Sequence, residues 1–175
     1  MPDALPTCVI YNPAAGRGRA ARMIERRRTA EIEVRPTSRA GDAEAIALRA
    51  AKEGFARVVA AGGDGTVHEV ANGILRSGDP GVVFGIWPIG SANDYAHALG
   101  VTGSATQLTE VHSVDVGRIE DAAGRERFFV NGLGVGFNGA VTAEAQRIRW
   151  LRCAARRSTH SLSCGRWSGT STSRR

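Results

Sequence analysis

Four short apolar runs, each closed by a turn and followed by a helix-period segment, constrain this chain more than any other feature. Residues 7–11 stop at Asn12-Pro13, and residues 31–35 stop at Pro36-Thr37-Ser38. Residues 57–61 run straight into Gly62-Gly63-Asp64-Gly65, and residues 82–87 lead to Pro88-Ile89-Gly90. Helical spacing is expected over residues 19–28, 42–54, 67–75 and 93–99. In the second of these, Ala45, Ile46, Leu48 and Ala51 form the apolar face and Asp42 is placed to cap. Uninterrupted apolar strands joined through helices predict a parallel sheet covered on both faces, an α/β domain of three layers. Ligands of such sheets gather beyond the carboxyl ends of the strands, where all these turns fall.

The rhythm changes after residue 113. Residues 114–119 and 127–133 flank the polar turn Glu120-Asp121-Ala122-Ala123-Gly124 and are expected to form an antiparallel hairpin. A glycine-rich stretch then leads to a predicted helix over residues 140–151. The expected organisation is an α/β domain over 1–113, the beginning of a β-rich domain over 114–151, and a tail over 152–175. That tail holds six Ser, six Arg and three Thr with one Leu, and no period survives in it. It is expected to be disordered or to arise from a shifted reading frame.

Charge separates in the same place. The tail contains six arginines and no acid, so it alone carries the formal +6, and the first 151 residues balance. The folded body therefore has no net basic bias, and nucleic acid is not an expected partner. The longest uncharged run, residues 128–143, is too short and too glycine-rich for a membrane span. No secretory signal opens the chain, so a cytoplasmic protein with its three cysteines reduced is expected.

Several segments carry chemistry. Asn12-Pro13-Ala14-Ala15-Gly16 joins a strand to a helix, and bare amides at such a turn can hold an anion, although an Asn-Pro turn is commonly structural. In Gly62-Gly63-Asp64-Gly65-Thr66, three glycines exceed what turning requires and let a phosphate approach the backbone. Asp64 supplies a carboxylate where Mg²⁺ and a triphosphate would lie. Thr66 can cap the helix or meet a phosphate oxygen. No Gly-Lys-Ser/Thr follows, and the spacing is not that of a dinucleotide fingerprint. Glu69, one turn further on, suits the positive end of its helix whether or not it has another task. Finally, Pro88-Ile89-Gly90-Ser91-Ala92-Asn93-Asp94-Tyr95-Ala96 offers a hydroxyl, an amide and a carboxylate at another strand end. There Asn93 or Asp94 can equally be a plain helix cap.

These segments, with Val67-His68-Glu69-Val70 completing the second, resemble the diacylglycerol kinase catalytic-domain family, which includes bacterial lipid kinases and sphingosine kinases. The resemblance runs over residues 7–150 with the signatures in family order; the double-glycine loop alone is shared with NAD kinases and phosphofructokinases. It implies a phosphofructokinase-like ATP-binding domain followed by a β-sandwich domain, with the active site between them. Carried over by position, the nucleotide contacts are Asn12, Pro13, Ala14, Ala15, Gly16, Thr37, Gly62, Gly63, Asp64, Gly65, Thr66, Val67, His68 and Ser91. Ser91 stands where the family usually has threonine and keeps the hydroxyl; His68 replaces a commoner asparagine.

Asp64 and Asp94 are the candidate catalytic carboxylates, with Asp64 nearest a bound Mg²⁺. The family's Asp-Gly-Glu segment, which holds the presumed base, has no match here, and no Asp or Glu follows Glu144. The resemblance thus implies a lipid kinase, C-terminally truncated and impaired, that uses ATP and Mg²⁺ on a lipid of the diacylglycerol or sphingoid-base class. Transient membrane-surface contact and a homodimer belong to the same expectation. A non-catalytic nucleotide-binding remnant and an NAD kinase-like enzyme stay open as alternatives.

Overall fold

A computed structural model of the chain describes residues 5–26, 29, 31–101, 111–134 and, in part, 136–148. Its first compact unit, residues 1–132, holds a four-stranded parallel sheet in the order β2-β1-β3-β4. The strands are β1 (Thr7–Tyr11), β2 (Ile32–Pro36), β3 (Arg57–Gly62) and β4 (Val83–Pro88). The helices are α1 (Ala15–Glu25), α2 (Asp42–Lys52), α3 (Asp64–Ser77) and α4 (Asp94–Ala98).

The period-2 pattern of the strands builds both cores. Cys8, Ile10, Val58 and Ala60 point to one face, where α2 and α3 bring Ala43, Ile46, Ala47, Ala50, Val67, Val70 and Ile74. Val9, Val59 and Ala61 point to the other, where α1 brings Ala20 and Ile24 beside Trp87 and Ile89. Helices on both faces make the three layers that the unbroken apolar strands predicted. Ile10 and Val58 are fully buried, each worth about 1.5–3 kcal/mol over an exposed side chain. Burial also pushes the Cys8 thiol up to about 12, which leaves it an inert core residue. On the α2 side a Cβ at Gly73 would strike the Glu44 carbonyl oxygen and lie 2.7 Å from Ala47 Cβ, so this glycine lets α2 and α3 touch backbone to backbone.

The same unit contains a hairpin of β5 (Gly117–Glu120) and β6 (Glu126–Phe129). The Asp121 carboxylate closes its turn by accepting the Ala123 and Arg125 N–H groups at 2.9 Å each. The hairpin docks on α3 through buried Asn72. Its Oδ1 accepts the Phe128 N–H at 3.0 Å, and its Nδ2 donates to the carbonyls of Phe128 and His68 at 2.9 Å each. Glu44 adds a second tie, accepting from Arg76 and Arg127 at 2.6 Å each. A separate unit begins at Leu133; among its described residues, helix starts by Phe137, and the Ala140 N–H bonds the Gly136 carbonyl at 3.1 Å.

Element boundaries depart from the expectations in instructive ways. α1 starts at Ala15 rather than residue 19, with Gly16 and Gly18 at φ of 58° and 82° in and just after its first turn. α3 begins at Asp64, so the glycine loop runs directly into the helix. Asp42 is the first residue of α2, not its cap; Gly41 holds that place, and the Asp42 carboxylate turns back to Ser38 and Arg39. Both strands of the hairpin are shorter than expected, at four residues each. The tail over 152–175 lies outside the described residues.

Candidate functional site

Parallel pairing brings the four strands to a common edge. Tyr11 is level with Pro36 and with Ala61, and Gly62 is level with Pro88. The segments that follow are therefore neighbours, and backbone bonds fasten them one step beyond the strands. The Thr37 N–H bonds the Tyr11 carbonyl at 2.9 Å, and the Asn12 N–H bonds the Ala61 carbonyl at 3.3 Å. The Gly62 carbonyl accepts from Ile89 at 2.9 Å and from Gly90 at 3.1 Å. Asn12, Thr37, Gly62 to His68, Ser91 and Asp94 are thus gathered at one sheet edge, as the strand–turn–helix spacing predicted.

The contact between the second and fourth segments is backbone on backbone. A Cβ at Gly90 would fall on Gly63 Cα and 2.6 Å from Asn93 Oδ1, so only glycine fits. Asn93 itself has φ of 58° and donates from Nδ2 to the Gly90 carbonyl at 3.0 Å, which fixes the turn that carries Ser91. Asn93 precedes α4 without giving it a side-chain capping bond. The Asp64 carboxylate serves α4 instead, accepting the Tyr95 N–H at 3.1 Å.

Four helices start at this edge, and α1, α2 and α3 differ from one another in how their first amides are used. Neither α1 nor α3 receives a side-chain capping bond from its N-cap residue, Ala14 or Gly63. The Asn12 side chain serves Ala14, outside the helix, at 2.9 Å. In α2 the Gly41 and Ala43 N–H groups donate to the Glu69 carboxylate at 2.9 and 3.1 Å. In α1 the first N–H is spent on the Asn12 carbonyl at 2.9 Å, whereas the positive end of α3 stands directly behind the glycine loop, where it suits an anion such as phosphate. Gly65, exposed with nothing within 4 Å of a Cβ built on it, leaves room for a ligand to reach this backbone.

A profile of the diacylglycerol kinase catalytic domain matches residues 6–121. The chain belongs to this family. It is 36% identical over 118 residues to a probable lipid kinase YegS-like of Chromohalobacter salexigens, covering 63% of this chain and 36% of that protein. A probable lipid kinase YegS-like of Pseudomonas aeruginosa is 36% identical over 77% of this chain and 45% of its own length. The diacylglycerol kinase of Bacillus subtilis is 34% identical over 73% of this chain and 45% of its own length. The chain spans less than half the length of these relatives.

Within this kinase family site, the predicted residues divide by what their side chains do. Thr66 is buried with its side chain against Gly62, and Val67 lies in the core while its N–H closes the first turn on the Gly63 carbonyl at 3.1 Å. Ser91 and Asp94 are exposed, and Thr37, Asp64 and His68 are half-buried. Sequence reasoning missed Asn72, Glu44 and the reach of Glu69. The available signal was a polar Asn72 between the small residues Ala71 and Gly73, on the side of the helix away from Val70 and Ile74.

Mg²⁺ is implied by a kinase family, and the donor set suits it. Asp64 spends one carboxylate oxygen on Tyr95, Asp94 is exposed in the first turn of the adjoining helix, and Mg²⁺ prefers one or two carboxylates completed by phosphate and water. Among the described residues no three metal-ligating side chains cluster, so a bound Mg²⁺ would take its remaining ligands from the nucleotide and water. No helix among the described residues is long and apolar enough to cross a membrane.

Proposed function

We propose that this chain binds Mg-ATP across the 12–16, 37, 62–68 and 91 segments, as the nucleotide half of a kinase that phosphorylates a lipid hydroxyl. The observation that carries the reading is the N-terminus of α3, opened by the glycine loop at the sheet edge beside the Gly63–Gly90 contact. The lipid is of the diacylglycerol or sphingoid-base class, which entails transient contact with a membrane surface.

Phosphoryl transfer depends mainly on positioning and on stabilising charge at the transferred group. The amides of the glycine loop and of the first turn of α3 hold the phosphates, and the Thr37 and Ser91 hydroxyls orient the nucleotide. Asp64, through the carboxylate oxygen not bonded to Tyr95, and Asp94 would hold Mg²⁺, which would supply charge neutralisation at the phosphates. A carboxylate within reach of the acceptor takes the proton of the lipid hydroxyl as its oxygen attacks the γ-phosphorus and ADP departs. Asp64 and Asp94 are the candidates on this chain. The 175-residue polypeptide alone is expected to bind Mg-ATP weakly and transfer phosphate poorly, because carboxylates engaged with Mg²⁺ are poor acceptors for the hydroxyl proton. A missing base lowers rates by about 10²–10⁴.

The test is calorimetric titration of the purified chain with Mg-ATP, beside a radiolabelled-phosphate assay on vesicles of diacylglycerol or a sphingoid base. Saturable binding with little turnover is expected. A folded sample that binds no Mg-ATP overturns the nucleotide reading. Many turnovers, abolished by Asp64→Ala, overturn the impaired reading and place the base on this chain.

A further inference from the structure

We infer that Glu69 is a positioning residue for the nucleotide, setting the Thr37-bearing segment against the glycine loop; this rests on the Mg-ATP reading above. Glu69 lies in the second turn of α3, the helix that the glycine loop opens. A carboxylate acting only on its own helix dipole needs no partner elsewhere. Glu69 instead uses both oxygens on amides 28 and 26 residues away, Oε1 on the Gly41 N–H and Oε2 on the Ala43 N–H.

The segment it grips is closed on itself. Asp42 Oδ2 accepts the Ser38 N–H at 2.9 Å, the Ser38 hydroxyl at 2.6 Å and the Arg39 N–H at 3.0 Å, while Oδ1 accepts Arg39 Nε at 3.1 Å. Residues 38–42 therefore keep their shape without outside help. Their placement depends on two anchors, the Thr37–Tyr11 bond at the sheet and the Glu69 clasp at α3. Because Glu69 and Asp64 share one rigid helix, the second anchor refers the Thr37 segment directly to the phosphate-facing loop.

The clasp has a second consequence. Of the helix N-termini at this edge, α2's is filled by the Glu69 carboxylate and α4's meets that of Asp64, so an incoming phosphate is directed to the first turn of α3 behind the glycine loop. Ala43, Ile46, Ala47 and Ala50 hold the body of α2 in the core independently of Glu69, so loss of the clasp displaces a loop rather than unfolding a domain.

The experiment is a double-mutant cycle on the full 175-residue chain: Glu69→Gln, Thr37→Val and both together, each titrated calorimetrically with Mg-ATP at a temperature where circular dichroism shows it folded. Glutamine keeps the size but presents an NH₂ to one of the two N–H donors. Glu69→Gln is expected to weaken binding about two- to tenfold, the affinity of a single hydrogen bond. In the Thr37→Val background the same change is expected to add less than about twofold, since the contact it positions is already gone. Faster amide exchange at Gly41 and Ala43, with the Val58 amide unchanged, is the accompanying structural readout. Unchanged affinity in folded Glu69→Gln, or losses that add fully, overturn the inference. If Glu69→Gln does not fold, Glu69→Asp, too short for both amides, takes its place with the same expected and overturning results. A wild-type chain that is folded but binds no Mg-ATP defeats the nucleotide reading itself, and that shows before any substitution is made.

Discussion

The Asp64 carboxylate accepts the Tyr95 backbone N–H at 3.1 Å, across 31 residues of chain. One oxygen of the acidic residue in the glycine loop thus starts a helix on the next loop, which leaves the other for a ligand.

That division separates two substitutions. Asp64→Asn retains an acceptor for Tyr95, whereas Asp64→Ala orphans the amide at a cost of about 1–2 kcal/mol. Urea melts are expected to rank wild type and Asp64→Asn together above Asp64→Ala. Both variants are expected to lose the Mg²⁺ dependence of ATP binding, because both lose the charge. Equal stability of all three chains would show that the Tyr95 bond contributes nothing.

Gly65 and Gly90 predict opposite behaviour for the same replacement. Gly65→Ala adds a methyl in open space on a helix, so stability is expected to hold or to rise by about 0.5–1 kcal/mol. Mg-ATP affinity is expected to fall at least tenfold, as the methyl occupies the approach to the phosphate. Gly90→Ala drives a methyl into Gly63 and is expected to cost about 1–3 kcal/mol as well as affinity. Thermal melts paired with calorimetry distinguish the two; full ATP affinity in Gly65→Ala would remove the phosphate from this loop.

Asn72→Leu replaces the amide that supplies both backbone partners of Phe128. The Phe128 N–H and carbonyl lose their bonds at about 1–3 kcal/mol each, and the His68 carbonyl loses the Asn72 donor as well. Hydrogen exchange is expected to accelerate at residues 117–129 while the β1 and β3 amides stay protected. A uniform loss of protection would mean that hairpin and sheet open as one unit.

Acid is expected to act at Glu44. Its partial burial pushes the carboxyl up, but bonds to Arg127 and Arg76 outweigh this and hold it below the usual carboxylate range. With the folded value lowered, its stabilisation is complete above the unfolded pKa of about 4.5 and is lost as pH falls through the folded value. Loosening of the hairpin as pH falls below about 4.5, followed through exchange at Arg127 and Phe128, is therefore expected to shrink in Glu44→Gln. An identical acid profile in that variant would assign the effect to other carboxylates.

The sheet and the glycine loops were legible in the sequence because their causes are local. Contiguous apolar runs such as residues 57–61 mark strands buried on both faces, and glycine density beyond what a turn needs marks a close approach. The start of α1 was not legible: a helix was expected from residue 19, whereas it runs from Ala15 with Gly16 and Gly18 at positive φ near its start. Asp42 was expected as a cap because its residue type suits one, and its carboxylate does bind backbone amides, but on the preceding turn. Glu69 was ambiguous, since an acid in the early turns of a helix is favourable with or without a distant partner.

Taken alone, then, the order and spacing of residues determined the parallel three-layer domain, the edge at which its loops gather and the kinase family to which the chain belongs. Tertiary structure alone decided which polar groups meet: Asp64 with Tyr95, Glu69 with Gly41 and Ala43, Asn72 with Phe128, and Glu44 with Arg127, 83 residues away. Periodicity follows from the backbone geometry of a single strand or helix and can be counted along a chain. A carboxylate or amide that must satisfy buried donors takes whichever partner the packed elements bring within about 3 Å, and no residue spacing records that choice.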